Sequence, residues 1–351
     1  MEKVTARPSQ PARDRAEAFE KAGEWTAAAR AHAAMFTDAR SRGDTVGMVE
    51  HLRKGARASH RAGNSDEADE LALLSREIAD RTGLPAAAAR ALNLLALFAH
   101  SDGRLDEART LYTTALDRAR DASDDELIGA VCQNLGVLAN MRGDLREARA
   151  LYFECVGSVV RSGDRAAAMA AYNNLGMVCG DLREWLEAEI YFGRGIEIAM
   201  QVGDTPMLAK LLVNRAEPLI EFGELEQACE ALRNADELAE NLDDDCLRVD
   251  ILRFRARIDR IREDHAEASR RIDHALRLAR EADLRLEQAE VQEEAAYLRW
   301  AEGRAGPARM LLREAARLYD EVGARNDCDR LERVSGEWSG KVLEMTRTSQ
   351  D

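Results

Sequence analysis

Hydrophobic residues recur along this chain at steps of three and four, the spacing that places them on one face of an α-helix. One such run consists of Leu127, Val131, Leu135 and Leu138. A second run, after a short polar stretch, consists of Ala148, Leu151, Cys155 and Val159. The strict alternation of apolar and polar residues that is typical of a half-buried strand appears nowhere. The pattern therefore predicts a succession of amphipathic helices.

The helical pattern repeats every forty residues. The sequence AGEWTAA at 22–28 recurs as DGRLDEA at 102–108 and as RGDLREA at 142–148. One position of the repeat is alanine in all eight units: Ala28, Ala68, Ala108, Ala148, Ala188, Ala228, Ala268 and Ala308. The position five residues earlier is mostly glycine: Gly23, Gly63, Gly103, Gly143, Arg183, Gly223, Glu263 and Gly303. Another turn-forming column lies twenty residues further on: Gly43, Gly83, Ser123, Gly163, Gly203, Asp243, Asp283 and Gly323.

Each unit is thus predicted to be an antiparallel pair of helices, each helix ended by a residue that favours the left-handed conformation. A third column also holds only small residues: Ala16, Ala56, Ala96, Gly136, Gly176, Ala216, Ala256 and Ala296. Small residues let two helices approach closely, and pairs stack because one pair cannot bury its apolar stripe alone. We expect a frayed segment at 1–8, eight repeats over 9–326, a capping helix over 327–341 and a flexible tail over 342–351.

Composition narrows the function. The chain has 351 residues and a net charge of -15, and a surface this acidic should repel nucleic acid. No apolar run at the start indicates a signal peptide and none elsewhere is long enough to cross a bilayer, so we expect a cytoplasmic protein without membrane contact. The six cysteines form no CxxC pair, and we expect them to be reduced. Rich use of arginine and alanine is typical of a bacterium with a high-GC genome.

The repeat resembles the tetratricopeptide repeat. The fourth unit carries the resemblance best, in Leu135, Gly136, Gly143, Ala148, Tyr152 and Cys155. The period of forty exceeds the commoner thirty-four and the helix-ending proline is missing, as in the extended repeats of Rap-type bacterial regulators and kinesin light chains. The resemblance implies an all-α, right-handed solenoid whose first helices line a concave groove. It also implies a non-enzymatic module that binds a peptide or protein segment in that groove.

Amide side chains gather in two adjacent columns of the middle first helices. An amide both donates and accepts hydrogen bonds, so such a ladder can pair with an extended peptide backbone. The alternative is that these side chains are solvated or cap neighbouring carbonyls. The residues concerned are Asn93, Gln133, Asn134, Asn173, Asn174 and Asn214.

Three arginines, Arg253, Arg257 and Arg260, share one helical face in the seventh unit, with Lys210 as a candidate neighbour. Planar guanidinium groups suit carboxylates, so we predict that they line the same groove and hold an acidic part of the ligand. The alternative is that they pair with the glutamates at 290, 293 and 294, one period further on. Pro218 lies inside the sixth first helix, where a kink would tilt Asn214.

No catalytic constellation is recognisable. The motifs GxSxG, HExxH and the phosphate-binding loop are missing, and the histidines are too scattered to form a metal site. We therefore expect no enzymatic activity, no cofactor and no metal. A sensory module of a bacterial signalling system is the alternative function, because LYDEVGAR at 318–325 is similar to repeat ends of bacterial ATPase and cyclase regulators. The sequence leaves homo-oligomerisation through the caps or the second helices open.

Overall fold

The computed structural model describes residues 10–240 and 242–348, and side chains for 12–240 and 242–339. Every described residue that belongs to a regular element is helical, in an all-α solenoid. The helices are α1 (Gln10–Lys21), α2 (Trp25–Ser41), α3 (Thr45–Arg61), α4 (Ser65–Arg81), α5 (Pro85–Ser101), α6 (Leu105–Asp121), α7 (Asp125–Arg142), α8 (Leu145–Ser162), α9 (Arg165–Asp181), α10 (Trp185–Val202), α11 (Thr205–Glu221), α12 (Leu225–Ala239), α13 (Asp245–Ile261), α14 (His265–Glu281), α15 (Arg285–Ala301), α16 (Ala305–Glu321) and α17 (Arg325–Thr348).

From α2 onward each helix begins twenty residues after the preceding one. The odd-numbered helices α1 to α15 are the first helices of the eight predicted pairs, and the even-numbered helices are the second helices. The eight alanines of the invariant column are all fully buried. Close packing explains why these columns hold only small residues. At Gly176, in the column that begins with Ala16, an added Cβ would lie 2.6 Å from the Phe192 ring.

The turns between helices depend on residues with positive φ. Glycines of both turn columns have φ between 67° and 87°. At four of the five turn positions without glycine, Arg183, Glu263, Ser123 and Asp283 adopt the same left-handed conformation, with φ from 52° to 62°. At the Glu263 turn the amide of Asp264 donates to the Asp259 carbonyl at 2.9 Å, which closes the helix end as glycine does elsewhere.

Contacts divide the chain into two compact units. The first extends to Leu138 and includes Gly157–Asp164, and the second comprises Ala139–Val156 and the chain from Arg165 onward. Within each unit a helix packs on its sequence neighbours, and first helices also contact the next first helix: α3 with α5, α9 with α11, α11 with α13 and α13 with α15.

The C-terminal helix differs from its predicted bounds. Instead of 327–341, α17 runs from Arg325 to Thr348 and continues through Gly340. It packs on α16, and the Trp338 ring stacks on Trp300 with centroids 4.4 Å apart. The segment expected to be frayed, 1–8, lies outside the described residues, as do the last three residues of the expected tail.

Two further local features concern Pro218 in α11 and the end of α12. The helix α11 continues through Pro218, which is buried. The helix α12 ends at Ala239, earlier than the repeat suggests, and Asp244 then begins α13 by accepting a hydrogen bond from the Leu247 amide at 3.0 Å.

Replacement of Glu263 by glycine should stabilise the protein. A left-handed conformation costs a residue with a Cβ about 1–2 kcal/mol, partly offset by the entropy of glycine in the unfolded chain, so we expect a gain of about 1 kcal/mol. Urea unfolding followed by circular dichroism measures it. Glu263→Ala is the matched control, since it removes the exposed side chain and keeps the Cβ. Equal stability of the two variants would contradict the explanation.

Candidate functional site: the first-helix face

The surface of interest is the side of the first helices that faces away from the second helices, here called the first-helix face. It is described separately for each compact unit. In the first unit two predicted amide residues meet across adjacent first helices. The Asn134 amide group donates to Asn93 Oδ1 at 3.4 Å, and both side chains are half-buried, as is Gln133.

In the second unit three more amides form a cluster. Asn214 Nδ2 donates to Asn173 Oδ1 at 2.8 Å, and Asn173 Nδ2 approaches Asn174 Oδ1 at 3.5 Å and Met177 Sδ at 3.4 Å. Asn173 is only 3% exposed, whereas Asn174 and Asn214 remain half-buried. The amides thus hydrogen-bond to one another between helices, which fixes their orientation and leaves Asn174 and Asn214 at the surface.

The three predicted arginines are paired with carboxylates of the same chain. Arg253 lies 2.9 Å from Asp250 and 3.2 Å from Glu290. Arg260 Nε lies 2.5 Å from Glu294 Oε1. Although burial lowers it, the neighbouring carboxylates of Glu290 and Asp250 raise the pKa of Arg253 above its ordinary value, so this guanidinium stays charged.

Arg257 extends the ion pairs in the other direction, to α11. Its Nη1 lies 3.0 Å from Glu217 Oε1, and its Nη2 pairs with Glu221. Glu217 is not among the residues predicted from the sequence to line the groove, although it precedes Arg257 by one period of forty residues. This spacing alone would have identified it as a neighbour of Arg257.

The capping helix α17 supplies residues to this face that no repeat pattern indicates. Arg330 Nη2 lies 2.9 Å from Glu293 Oε2 and 2.7 Å from Asp327 Oδ1, and the Tyr319 hydroxyl donates to the same Glu293 oxygen at 2.9 Å. Ion pairs therefore connect α11 to α13, α13 to α15 and α15 to α17.

The beginning of α17 also reaches the turn after α7. Asn326 Nδ2 lies 3.4 Å from the Asn140 carbonyl, 186 residues earlier in the chain, and its Oδ1 lies where a Cβ on Gly143 would be. The first-helix face of the second unit is therefore bounded at one end by the capping helix.

Asp181, at the end of α9, has a strongly perturbed carboxyl group on this face. Its side chain is accessible to solvent, yet desolvation by surrounding protein, together with the nearby carboxylates of Asp327 and Glu217, raises its pKa to about 7 against the lowering effect of Arg330. The charge balance adds to the effect of desolvation, because carboxylates outnumber cations on this face. The carboxylates are Asp181, Glu217, Glu221, Asp250, Glu290, Glu293, Glu294 and Asp327, and the cations are Lys210, Arg253, Arg257, Arg260 and Arg330.

Lys210 is exposed near the beginning of α11, one turn before Asn214.

Neither a metal site nor a membrane-spanning helix is found in the described part of the chain. Among the described residues no group of three or more histidine, cysteine or acidic side chains has the geometry to hold a metal ion. Within the same part of the chain no helix is long and apolar enough to cross a membrane.

Residues 87–156 match the family model for the tetratricopeptide repeat. This segment carries tetratricopeptide repeats. The matched segment covers α5 to most of α8, and the forty-residue columns extend the same helix pairs over the rest of the repeat array. No curated protein sequence matches this chain.

Solved tetratricopeptide-repeat structures share the fold at low sequence identity. A signal transduction ATPase with a tetratricopeptide repeat sensor from Pyrococcus horikoshii has a TM-score of 0.63 and 17% identity, over 77% of this chain and 42% of that one. A Rap protein complexed with competence and sporulation factor has a TM-score of 0.53 and 11% identity, over 96% and 99% of the two chains. A tetratricopeptide repeat protein from Parabacteroides merdae has a TM-score of 0.55 and 15% identity, over 81% and 98%.

Replacement of Asp181 by asparagine should change how stability depends on pH. A carboxyl group whose pKa is raised in the folded state binds more protons folded than unfolded, so its contribution to stability falls as pH rises from about 4 to about 7. We expect Asp181→Asn to exceed the wild type by about 1 kcal/mol at pH 8, a discounted value because water reaches the side chain, and to match it at pH 4.

Urea unfolding at both pH values measures this difference. Asp273→Asn, on the exposed surface of α14, is the control and should follow the wild type. A stability advantage of Asp181→Asn that is the same at pH 4 and pH 8 would contradict the proposed electrostatic origin.

Proposed function

We propose that this protein binds a peptide or protein segment along the first-helix face of its second unit and acts as a non-enzymatic interaction module. The observation that supports this most is the set of polar side chains that α9, α11, α13 and α15 present side by side. Hydrogen bonds and ion pairs between the helices hold these side chains in place. Groups that are already oriented lose little conformational entropy when a ligand binds.

Asn174 and Asn214 are suited to contact the backbone of such a segment. An amide has two N–H donors and an oxygen acceptor, and the contact with Asn173 uses only part of the capacity of Asn214. First helices lie roughly 10 Å apart and an extended peptide advances about 3.3 Å per residue. Asparagines on adjacent first helices would therefore contact about every third residue of the peptide.

Charge favours a basic segment. The arginines of α13 already have carboxylate partners, so they have little capacity left for the acidic segment that the sequence suggested. Carboxylates remain in excess, and at the end of α9 desolvation, together with repulsion from the carboxylates of Asp327 and Glu217, raises the pKa of Asp181 to about 7. A lysine or arginine side chain of the ligand would relieve that repulsion.

The comparison with the Rap protein is compatible with this proposal. That protein is complexed with competence and sporulation factor, and its chain aligns with almost the whole of this one. At 11% identity the likeness concerns the fold, so the proposal depends on the residues described above.

A regulatory role is the second candidate, and the capping helix favours it. Arg330 and Asn326 of α17 lie on the face that the ligand would occupy, and they connect α15 with the turn after α7. A ligand that competes for Glu293 would release this end of α17, and a partner domain could detect the change.

The binding proposal predicts discrimination among peptides by charge. We would titrate fluorescein-labelled decapeptides of matched length, one basic, one neutral and one acidic, and measure fluorescence anisotropy. We expect the basic peptide to bind with a Kd in the micromolar range and the acidic one at least tenfold more weakly. Preference for the acidic peptide would overturn the charge assignment but not the location.

The location is tested with the double variant Asn174→Ala, Asn214→Ala. Loss of two amides that contact the ligand should weaken binding of the basic peptide by at least about a factor of five, since each hydrogen bond contributes about 0.5–1.5 kcal/mol. Asn234→Ala, on the exposed side of α12, is the control, and circular dichroism checks that each variant is folded. Undiminished binding by the folded double variant would overturn the proposed site.

A further inference from the structure

The second helices differ sharply in what they expose to solvent. At four outward positions of the repeat, α6 carries Asp106, Thr110, Asp117 and Arg120, and α12 carries Glu226, Glu230 and Glu237, with Glu240 directly after its end. The same positions of α10 are Leu186, Ile190, Glu197 and Met200. On α10 the three apolar side chains are 61%, 51% and 67% exposed, in that order. This is an exposed apolar stripe at positions that are polar in α6 and α12, although one of them is also apolar on α16, where Met310 is 72% exposed.

Phe153 adds to this stripe from the neighbouring second helix. It is 63% exposed, one turn after Arg149, whose side chain pairs with Glu184 immediately before α10. The described part of the chain leaves the stripe uncovered, since α17 packs on α16 and approaches the first-helix face. Any group that covers this stripe must therefore come from outside the described residues.

The charges within the stripe indicate a second copy of the same chain as the occupant. Arg194 and Glu197 lie near the middle, each 62% exposed, and pair with each other at 3.1 Å. If two α10 helices pack antiparallel about a two-fold axis between residues 195 and 196, Arg194 of each copy lies opposite the second copy's Glu197. The symmetry forms this opposite-charge contact twice.

The same axis also matches the apolar residues. Ile190 then lies beside the second copy's Met200, and the contact again occurs twice. Gly193 lies next to the axis and has open space around the position of a Cβ, so two helices can approach closely there.

We propose that the outer face of α10, formed by Leu186, Ile190, Arg194, Glu197 and Met200 with Phe153 beside it, is a self-association surface that forms a two-fold symmetric dimer. Two helices about 27 Å long bury less than the ~800 Å² per partner of a standard interface, so the dimer is reversible, with a Kd in the micromolar range. The proposal is independent of the first-helix face and of any ligand that binds there.

Sedimentation velocity of the full chain from about 1 to 100 µM tests the dimer. We expect the weight-average sedimentation coefficient to rise from the monomer value toward the dimer value over this range. A monomer at every concentration would overturn the proposal.

Charge reversal then tests the geometry. Arg194→Glu and Glu197→Arg should each weaken the dimer at least tenfold, because each creates two like-charge contacts across the axis. An equimolar mixture of the two variants should dimerise again, since every contact in the mixed dimer joins opposite charges. Arg317→Glu on α16, which also removes a pair between residues three apart, is the control and should leave the dimer unchanged. A dimer that Arg194→Glu leaves intact, or a mixture that stays monomeric, would overturn the proposed pairing.

Discussion

The close approach of paired helices at positions that tolerate only small side chains is the constraint on which the rest of this structure depends. All eight alanines of the invariant column are completely buried, and at Gly176 a single added carbon would collide with Phe192. Because these contacts recur at a fixed interval, each helix from α2 onward begins twenty residues after the last. Residues about one period apart are then neighbours on adjacent first helices. The pairs Asn93 with Asn134 and Glu217 with Arg257 follow directly.

Much of the fold could be predicted from the sequence for this reason. The small-residue columns fixed the helix pairs, and the turn columns located their ends even at Glu263, where the backbone is left-handed without glycine. The extent of α17 could not be predicted in the same way, because a terminal helix belongs to no column. The ends of α12 and α17 depend on local sequence after the helix, which the repeat does not constrain.

The site was predicted less completely than the fold. Periodicity shows which residues share a column, but it does not show how far that column is turned toward the next helix. Asn173 and Asn174 are both predicted groove residues, yet Asn173 is buried and Asn174 is only half-buried. The contact of Arg330 with Glu293 was beyond sequence reasoning because nothing in the repeat relates α17 to α15. The alternative pairing of Arg260 with Glu294 was recognisable because both residues lie on predicted adjacent faces.

The ion pairs of the second unit fix helix register more than they add stability. Removing charges from water offsets most of what their attraction contributes, so a network of this kind is weak evidence for a stable fold. A glutamate that slips by one turn would lose its arginine and remain desolvated, however, which penalises alternative stackings of α11, α13 and α15. The polar first-helix face is thus fixed by pairing across helices, whereas the stripe on α10 has no such partner within the described chain. The same periodic scaffold therefore presents two chemically distinct surfaces, one whose charged side chains are held by pairs across helices and one that gains free energy only when another surface covers it.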